Sequence, residues 1–294
     1  AIQDVPLAVT AFSGEFVRDR QFDDVKDLVL YTPGVTGDSH DSFIDTLSIR
    51  GIVTNDFGVG GDPSIGVFKN NLYQGRNGEV VTSLYDMERA EVLRGPQGFL
   101  FGRNSIAGAI SVFTVRPNFD GYNGYLQVDG GQRAHLEVEG AVNVPVNDTL
   151  AFRLAGYHAK EDGYVENKYN PGQSDLIAPD KNAGRFSARY LSGKTEVNLM
   201  VEYERRDQSG SMYRATQKGP TWEQLQALFG PFQMGGSDID VNSNMGLGER
   251  DNGDVFSSGL HIDYDFGFAT FNSSTGYRHH NYKYAEDFDA TQLG

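Results

Sequence analysis

Two arginines sit inside an unusual run of small residues. The stretch EVLRGPQGFLFGRNSIAGAISVFT, residues 91–114, carries Arg94 and Arg103 among Gly95, Pro96, Gly98, Gly102 and Gly108. Glycine for close backbone approach and arginine for phosphate are the materials of a nucleotide loop. The spacing argues otherwise. Residues 98–105 lack the lysine and the GxxxxGK[ST] pattern, and Phe99, Leu100 and Phe101 make the centre apolar. A collagen-like reading of Gly95-Pro96-Gln97-Gly98 stops after one repeat. What remains is a tight backbone crossing, where missing side chains let strands approach. His279 and His280 suggest a metal, but neighbours on a strand point to opposite faces. Glu286, Asp287 and Asp289 follow no calcium-loop spacing. No Ser-His-Asp order, nucleophile elbow or zinc motif is present, so the residues give no reason to read an enzyme.

The totals exclude further classes. The 294 residues carry a net charge of −15 and a pI near 4.7. Nucleic acid and anionic membrane surfaces are poor partners for such a chain. Cysteine is absent, so there is no disulfide framework and no thiolate metal site. No apolar run reaches 18 residues, and Ala1–Asp4 does not open a signal peptide. The chain is then either cytosolic or trimmed at its start. A β-barrel escapes both tests, because its strands alternate and average out.

The elements that must position these residues fall into two textures. Residues 1–118 mix short strands and helices. Residues 6–12 read as a strand, and Ser13 as an N-cap. Phe22, Val25, Leu28 and Val29 recur at helical spacing, with Pro33-Gly34 as the stop. A short strand is expected over Asp45–Arg50, then a glycine-rich loop to Gly61. Ser64–Lys69 and Leu72–Tyr73 form a hairpin about Asn70-Asn71. Thr82 or Ser83 caps a one-turn helix through Met87. Strands at Ala90–Leu93 and Ile110–Val115 flank the glycine stretch.

Residues 119–294 alternate with period two. Val197, Leu199, Val201 and Tyr203 interleave with Glu196, Asn198, Met200, Glu202 and Glu204. Leu136 to Val144 and Leu260 to Tyr264 behave alike. Seven strands are expected, near 122–129, 133–145, 149–161, 184–191, 195–207, 254–265 and 268–285. Several have the roughly 9–11 residues that span a membrane, against about 5–6 for an ordinary strand. Tight turns at 145–148, 192–194 and 265–267 alternate with long polar segments at 162–183 and 207–253. Tyr125, Tyr157, Tyr190, Tyr203, Tyr264 and Tyr277 are expected to form an aromatic girdle. Two readings stand: a barrel wall, or a soluble β-sandwich with long strands. Within the longer polar segment, Thr221–Leu228 reads as a short helix capped by Thr221.

The segment MERAEVLRGPQGFLFGRNSIAGAISVFTVRP (87–117) resembles the closing part of the plug domain of TonB-dependent outer-membrane receptors. QDVPLAVTAFSGE (3–15), DLVLYTPGV (27–35) and LSIRGIVTNDFGVGGDPSIGVFKNNLYQGR (47–76) resemble the preceding parts, in order. The resemblance implies a mixed α/β plug domain at 1–118. It is followed at 119–294 by antiparallel transmembrane β-barrel strands, the beginning of a barrel of about 22 strands. Seven strands do not close such a barrel, so the chain reads as part of a longer polypeptide. The family's TonB box would precede Ala1. The implied setting is the outer membrane of a Gram-negative bacterium, amid its lipid. The implied partners are TonB with ExbB and ExbD in the inner membrane and a small extracellular ligand. A ferric siderophore is the first choice of ligand, with a carbohydrate or cobalamin as alternatives. No resident cofactor is implied; iron enters only within the cargo. A soluble binding module is the rival from another class. By the same resemblance, the apical plug loops place Asn55, Asp56, Phe57, Tyr73, Gln74, Arg76 and Asn77 at the ligand. Extracellular loop 207–253 adds Tyr213, Arg214 and Trp222. Arg50 and Arg94, in the IRG and LRGP motifs, match plug arginines that pair with barrel glutamates.

Overall fold

A computed structural model describes residues 8–37, 47–53, 62–75, 82–169, 176–208, 217–231, 240–241, 250–285 and 287. Strand β1 (Ala8–Ser13) leads into helix α1 (Gly14–Asp19), where the Phe16 amide donates to Ser13 Oγ at 3.1 Å, the expected cap. The helix does not run on to Pro33. Gln21 takes φ 53°, and the chain resumes only as a 3-10 helix over Asp27–Tyr31. The carboxylate of Asp27 accepts the Asp23 and Asp24 amides at 2.7 and 3.2 Å, an alternative to helical bonding. Phe22, Val25, Leu28 and Val29 are nevertheless all buried. Their spacing marks a common buried side, not one helix.

Strands β2 (Val35–Thr36), β3 (Ser48–Ile49) and β4 (Ile52–Val53) form a small sheet, with Arg50 at φ 54° in the β3–β4 turn. The strand expected over Asp45–Arg50 is therefore confined, among described residues, to Ser48–Ile49. Strands β5 (Ile65–Lys69) and β6 (Leu72–Tyr73) make the expected hairpin, with Asn70 and Asn71 at φ 50° and 64° as a tight two-residue turn requires. The helix expected from Thr82 does not form. Residues 82–86 run irregularly into β7 (Met87–Arg94), and Asp86 sits at φ 50°. The one-turn helix lies further on, as α2 (Gly98–Phe101), before β8 (Gly108–Thr114). These strands build a five-stranded sheet ordered β1-β7-β8-β5-β6, with β5 and β8 parallel. Its core includes Val17, Leu28, Leu47, Ile49, Ile65, Val92 and Ile110. Gly108 explains part of the glycine run: a Cβ there would stand 2.3 Å from the Leu93 carbonyl oxygen and 2.8 Å from Ile49 Cδ1.

The second body is one antiparallel meander. Strands β9 (Asn123–Gly130), β10 (Leu136–Asn147) and β11 (Leu150–Lys160) come first. The short β12 (Glu166–Asn167) precedes β13 (Asp180–Ser192) and β14 (Thr195–Gln208). Helix α3 (Trp222–Phe229) and the short β15 (Asp240–Val241) precede β16 (Arg250–Asp265) and β17 (Thr270–Ala285). The seven long strands pair in the order β9-β10-β11-β13-β14-β16-β17. The three tight turns after β10, β13 and β16 fall at one edge, and the short β9–β10 turn at the opposite one. The two long connections meet at that opposite edge, where β12 pairs with β15 and Val165, Leu176 and Val241 cluster. Helix α3 starts after Thr221 as expected, but the threonine side chain makes no capping bond.

Register assigns the faces. Glu139, Tyr157, Ala183 and Glu204 lie abreast, as do Arg185, Glu202, Ser257 and Arg278. They share the face that meets the N-terminal body. The opposite face shows Leu126, Val142, Leu154, Phe186 and Leu199, all exposed. Tyr190, Tyr203, Tyr264 and Tyr277 belong to this outer face. Tyr125 and Tyr157 do not. They point inward, Tyr125 donating to Glu139 and Tyr157 stacked on Tyr85, so the expected girdle loses two members. A phenol on an inner position finds charged partners that lipid would not offer.

Candidate functional site: a charged seam between plug and wall

The two bodies meet through ions. Asp86, at the entrance to β7, is 1% exposed. Its carboxylate takes a two-point bond from Arg153 of β11, Nε at 2.8 Å and Nη2 at 2.5 Å. Such paired bonds fix angle as well as distance. Arg185 of β13 reaches the same segment, donating to the carbonyls of Tyr85 and Asp86 at 2.9 and 3.0 Å. Its other nitrogen donates to Glu202 of β14 at 3.0 Å. Lys69, at the end of β5, donates to Glu202 at 2.6 Å and to Thr82 at 3.3 Å. The Ser83 and Asp86 amides donate to the Glu204 and Glu139 carboxylates at 3.0 and 2.9 Å. Beyond α1 in the chain, Asp23 is bound by Lys181 of β13.

Lys69 with Glu202, Asp86 with Arg153 and Arg185, and Asp23 with Lys181 thus pair opposite charges across the seam, while Glu139 and Glu204 meet backbone amides. Lys69, Asp86, Arg185 and Glu202 are each 3% exposed or less at the side chain. Burial works to raise Asp23, but the Lys181 ammonium outweighs it and holds the carboxyl below its usual range. Burial, with the Glu202 carboxylate next, pushes the Tyr85 phenol well above the ordinary tyrosine range, so it stays protonated. Its ring also lies under the Arg185 guanidinium at 4.5 Å. Buried pairs of this kind add little net stability, but breaking one strands its partner. The seam therefore specifies where the two bodies sit.

The residues named from the sequence fare unevenly. Asn55, Asp56, Phe57, Arg76, Asn77, Tyr213 and Arg214 lie outside the described residues. Tyr73 accepts a bond from Asn104 at 2.7 Å and packs its ring on Phe68. Gln74 is buried, and its side-chain oxygen accepts from Arg278 of β17 at 2.5 Å, which makes it a contact between the bodies. Trp222 is buried at the start of α3, with the Lys218 ammonium 5.8 Å from its ring centre. The structure brings Arg50 and Arg94 together. Arg50's amide donates to Gly34, Arg94's guanidinium to Pro33 at 2.6 Å, and Arg50 Nη1 would be 3.0 Å from a Cβ on Gly95. Among the described residues neither joins an ion pair. The seam itself was not singled out from the sequence, although one signal was available. Glu202 and Glu204 stand on the polar side of the β14 alternation, where a merely wet face needs no particular charge.

Residues 1–109 match the family described as TonB-dependent Receptor Plug Domain. The chain is 27% identical over 142 residues to the ferripyoverdine receptor of Pseudomonas aeruginosa, covering 47% of this chain and 17% of that protein. It is 25% identical over 210 residues to the ferrichrome outer membrane transporter/phage receptor of Escherichia coli K12, covering 67% and 27%. The fold is similar to the ferric yersiniabactin uptake receptor of Yersinia pestis, with a TM-score of 0.75 at 18% identity, over 94% of this chain and 41% of that one. The chain spans a minor part of each of these relatives. Their names are those of receptors and a transporter, in keeping with the expectation that this is not an enzyme. Plug motifs, a polar inner face and an apolar outer face agree with these likenesses: residues 1–109 match the plug domain of TonB-dependent receptors, and the fold is that plug followed by antiparallel strands that match part of such a receptor's barrel.

Proposed function

We propose that this protein serves TonB-dependent active uptake of a scarce nutrient across the outer membrane, with a ferric siderophore as cargo. In this reading residues 1–118 are the plug and 119–294 the first part of the wall. The observation that carries it is the seam. A plug that must close a lumen and later yield needs attachments that water can replace. Ions on both surfaces rehydrate when parted, whereas a torn apolar interface would not. TonB with ExbB and ExbD supplies the force; the ligand, held by the apical plug loops and loop 207–253, supplies the signal. Tyr73, Asn55, Asp56, Phe57, Arg76 and Asn77 would meet it from the plug, and Tyr213, Arg214 and Trp222 from the loop. Gln74 would first have to exchange Arg278 for the ligand. Arg50 and Arg94 would pair with glutamates of later wall strands. The names of the relatives support iron as the cargo, since ferripyoverdine, ferrichrome and ferric yersiniabactin are iron chelates. The exposed outer face of Leu126, Leu154 and Phe186 speaks against the soluble-module alternative.

The test uses the full-length receptor in iron-starved cells lacking other receptors. Radioiron-labelled siderophores of the catecholate, hydroxamate and mixed classes are offered, with the proton-motive force intact or dissipated. Energised accumulation of one class is the expected result. No accumulation of any ferric chelate, alongside energised uptake of cobalamin or an oligosaccharide, would overturn the iron reading.

A further inference from the structure

The plug also meets the wall at an apolar point. Leu72 of β6 projects against Gly259 of β16 and Gly276 of β17, which are direct cross-strand partners. A Cβ on Gly259 would stand 2.6 Å from Leu72 Cδ1, and one on Gly276 would stand 3.2 and 3.3 Å from its two methyls. Neither glycine has a positive φ, so the backbone does not call for them. Glycine also weakens a strand interior. Space for Leu72 is what the pair provides. On the outer face, away from the plug, an added Cβ on Gly156 would meet nothing within 4 Å. The flanking contacts sit at matching heights. Asn70 donates to Met200, the partner of Gly259 on β14, at 3.2 Å. One step along, Arg278 joins Gln74 at 2.5 Å and Ser257 at 3.2 Å.

We propose that Gly259 and Gly276 form a socket for Leu72 that sets the register of the β5–β6 hairpin on the wall. The hairpin's own ion pair, the single-point Lys69–Glu202 contact, tolerates small shifts, because Coulomb attraction falls slowly with distance. Close packing does not: a gap of about 0.5–1 Å already forfeits a quarter to a half of a contact's attraction. Leu72 is thereby a positioning residue for Tyr73 and Gln74, an assignment that rests on the reading of those two as ligand residues.

The experiment fills the socket and then removes its occupant. In the full-length receptor, Gly259→Ala with Gly276→Ala is expected to speed amide hydrogen exchange across residues 65–73 by roughly tenfold, the coupling expected of touching groups. Adding Leu72→Ala is expected to return exchange to within about threefold of the Leu72→Ala single variant. Gly156→Ala is the control and leaves exchange unchanged. Unchanged exchange in the alanine pair, or no rescue by Leu72→Ala, would overturn the socket. Should the pair fail to give a heat-modifiable barrel, restoration of that barrel by Leu72→Ala supports the socket and failure to restore it counts against it. No ligand is involved, so absent uptake would sink the transport reading and leave this one standing.

Discussion

Replacing Asp86 by asparagine removes one charge from the seam and little else. Asparagine tolerates the left-handed backbone at least as well as aspartate, so the φ of 50° is kept. The loss is electrostatic. Arg153 and Arg185, 6% and 1% exposed, would face an amide where a carboxylate had been. Stranding a buried ion costs about 3–5 kcal/mol. The lower end applies here, because Glu202 still holds Arg185 at 3.0 Å. About 3 kcal/mol is a factor of roughly 150 in the equilibrium between seated and unseated segment. The Ser83 and Asp86 amides donate to wall carboxylates, so their exchange with heavy water reads that equilibrium directly. The Asp86→Asn receptor should exchange faster by about two decades over residues 82–87. Asp86→Ala should be faster still, by the roughly 1–2 kcal/mol that a left-handed alanine costs. Exchange within threefold of wild type in both variants would refute the claim that these ions hold the plug.

Two further outcomes follow from the plug. Gly14 opens α1, where propensity alone would make alanine stabilising by roughly 0.5–1 kcal/mol. An added Cβ there would lie 1.7 Å from the Met87 carbonyl oxygen, so Gly14→Ala should instead destabilise by about 1–3 kcal/mol or more, measured by denaturant unfolding of the receptor in detergent. Burial, then the Asp24 and Asp23 carboxylates, push Asp27 up to about 6 from its ordinary 3.8. The folded state then binds the proton more tightly, so this group's contribution falls as pH rises between those values. Asp27→Asn keeps an acceptor for the two amides and should match wild type near the lower value. It should exceed wild-type thermal stability above the upper one. A difference independent of pH would contradict the assignment.

Much of the wall was legible because a strand has only two faces. The period of two in Val197–Tyr203 assigns sides before any fold is known, and the register bears that assignment out. The Asn70-Asn71 hairpin was legible for a similar reason, since two left-handed residues between strands admit few geometries. The aromatic girdle was less so. Tyrosine suits both an interface and a polar lumen, and Tyr125 and Tyr157 took the lumen. The helix expected to reach Pro33 failed because its spacing recorded burial, while Asp27 offered the backbone other partners.

By itself the sequence determined the outline: the seven long strands of the wall, its sidedness and the plug motifs of the N-terminal body. These depend on local periodicity and on short patterns. Only the tertiary structure decided which charges meet. Lys69 and Glu202 are separated by 133 positions, and Asp86 and Arg153 by 67. No local rule distinguishes these from the other lysines, arginines and carboxylates of the chain. A charge acquires its partner only when folding removes water from between them, and which pairs lose their water depends on how two whole bodies dock.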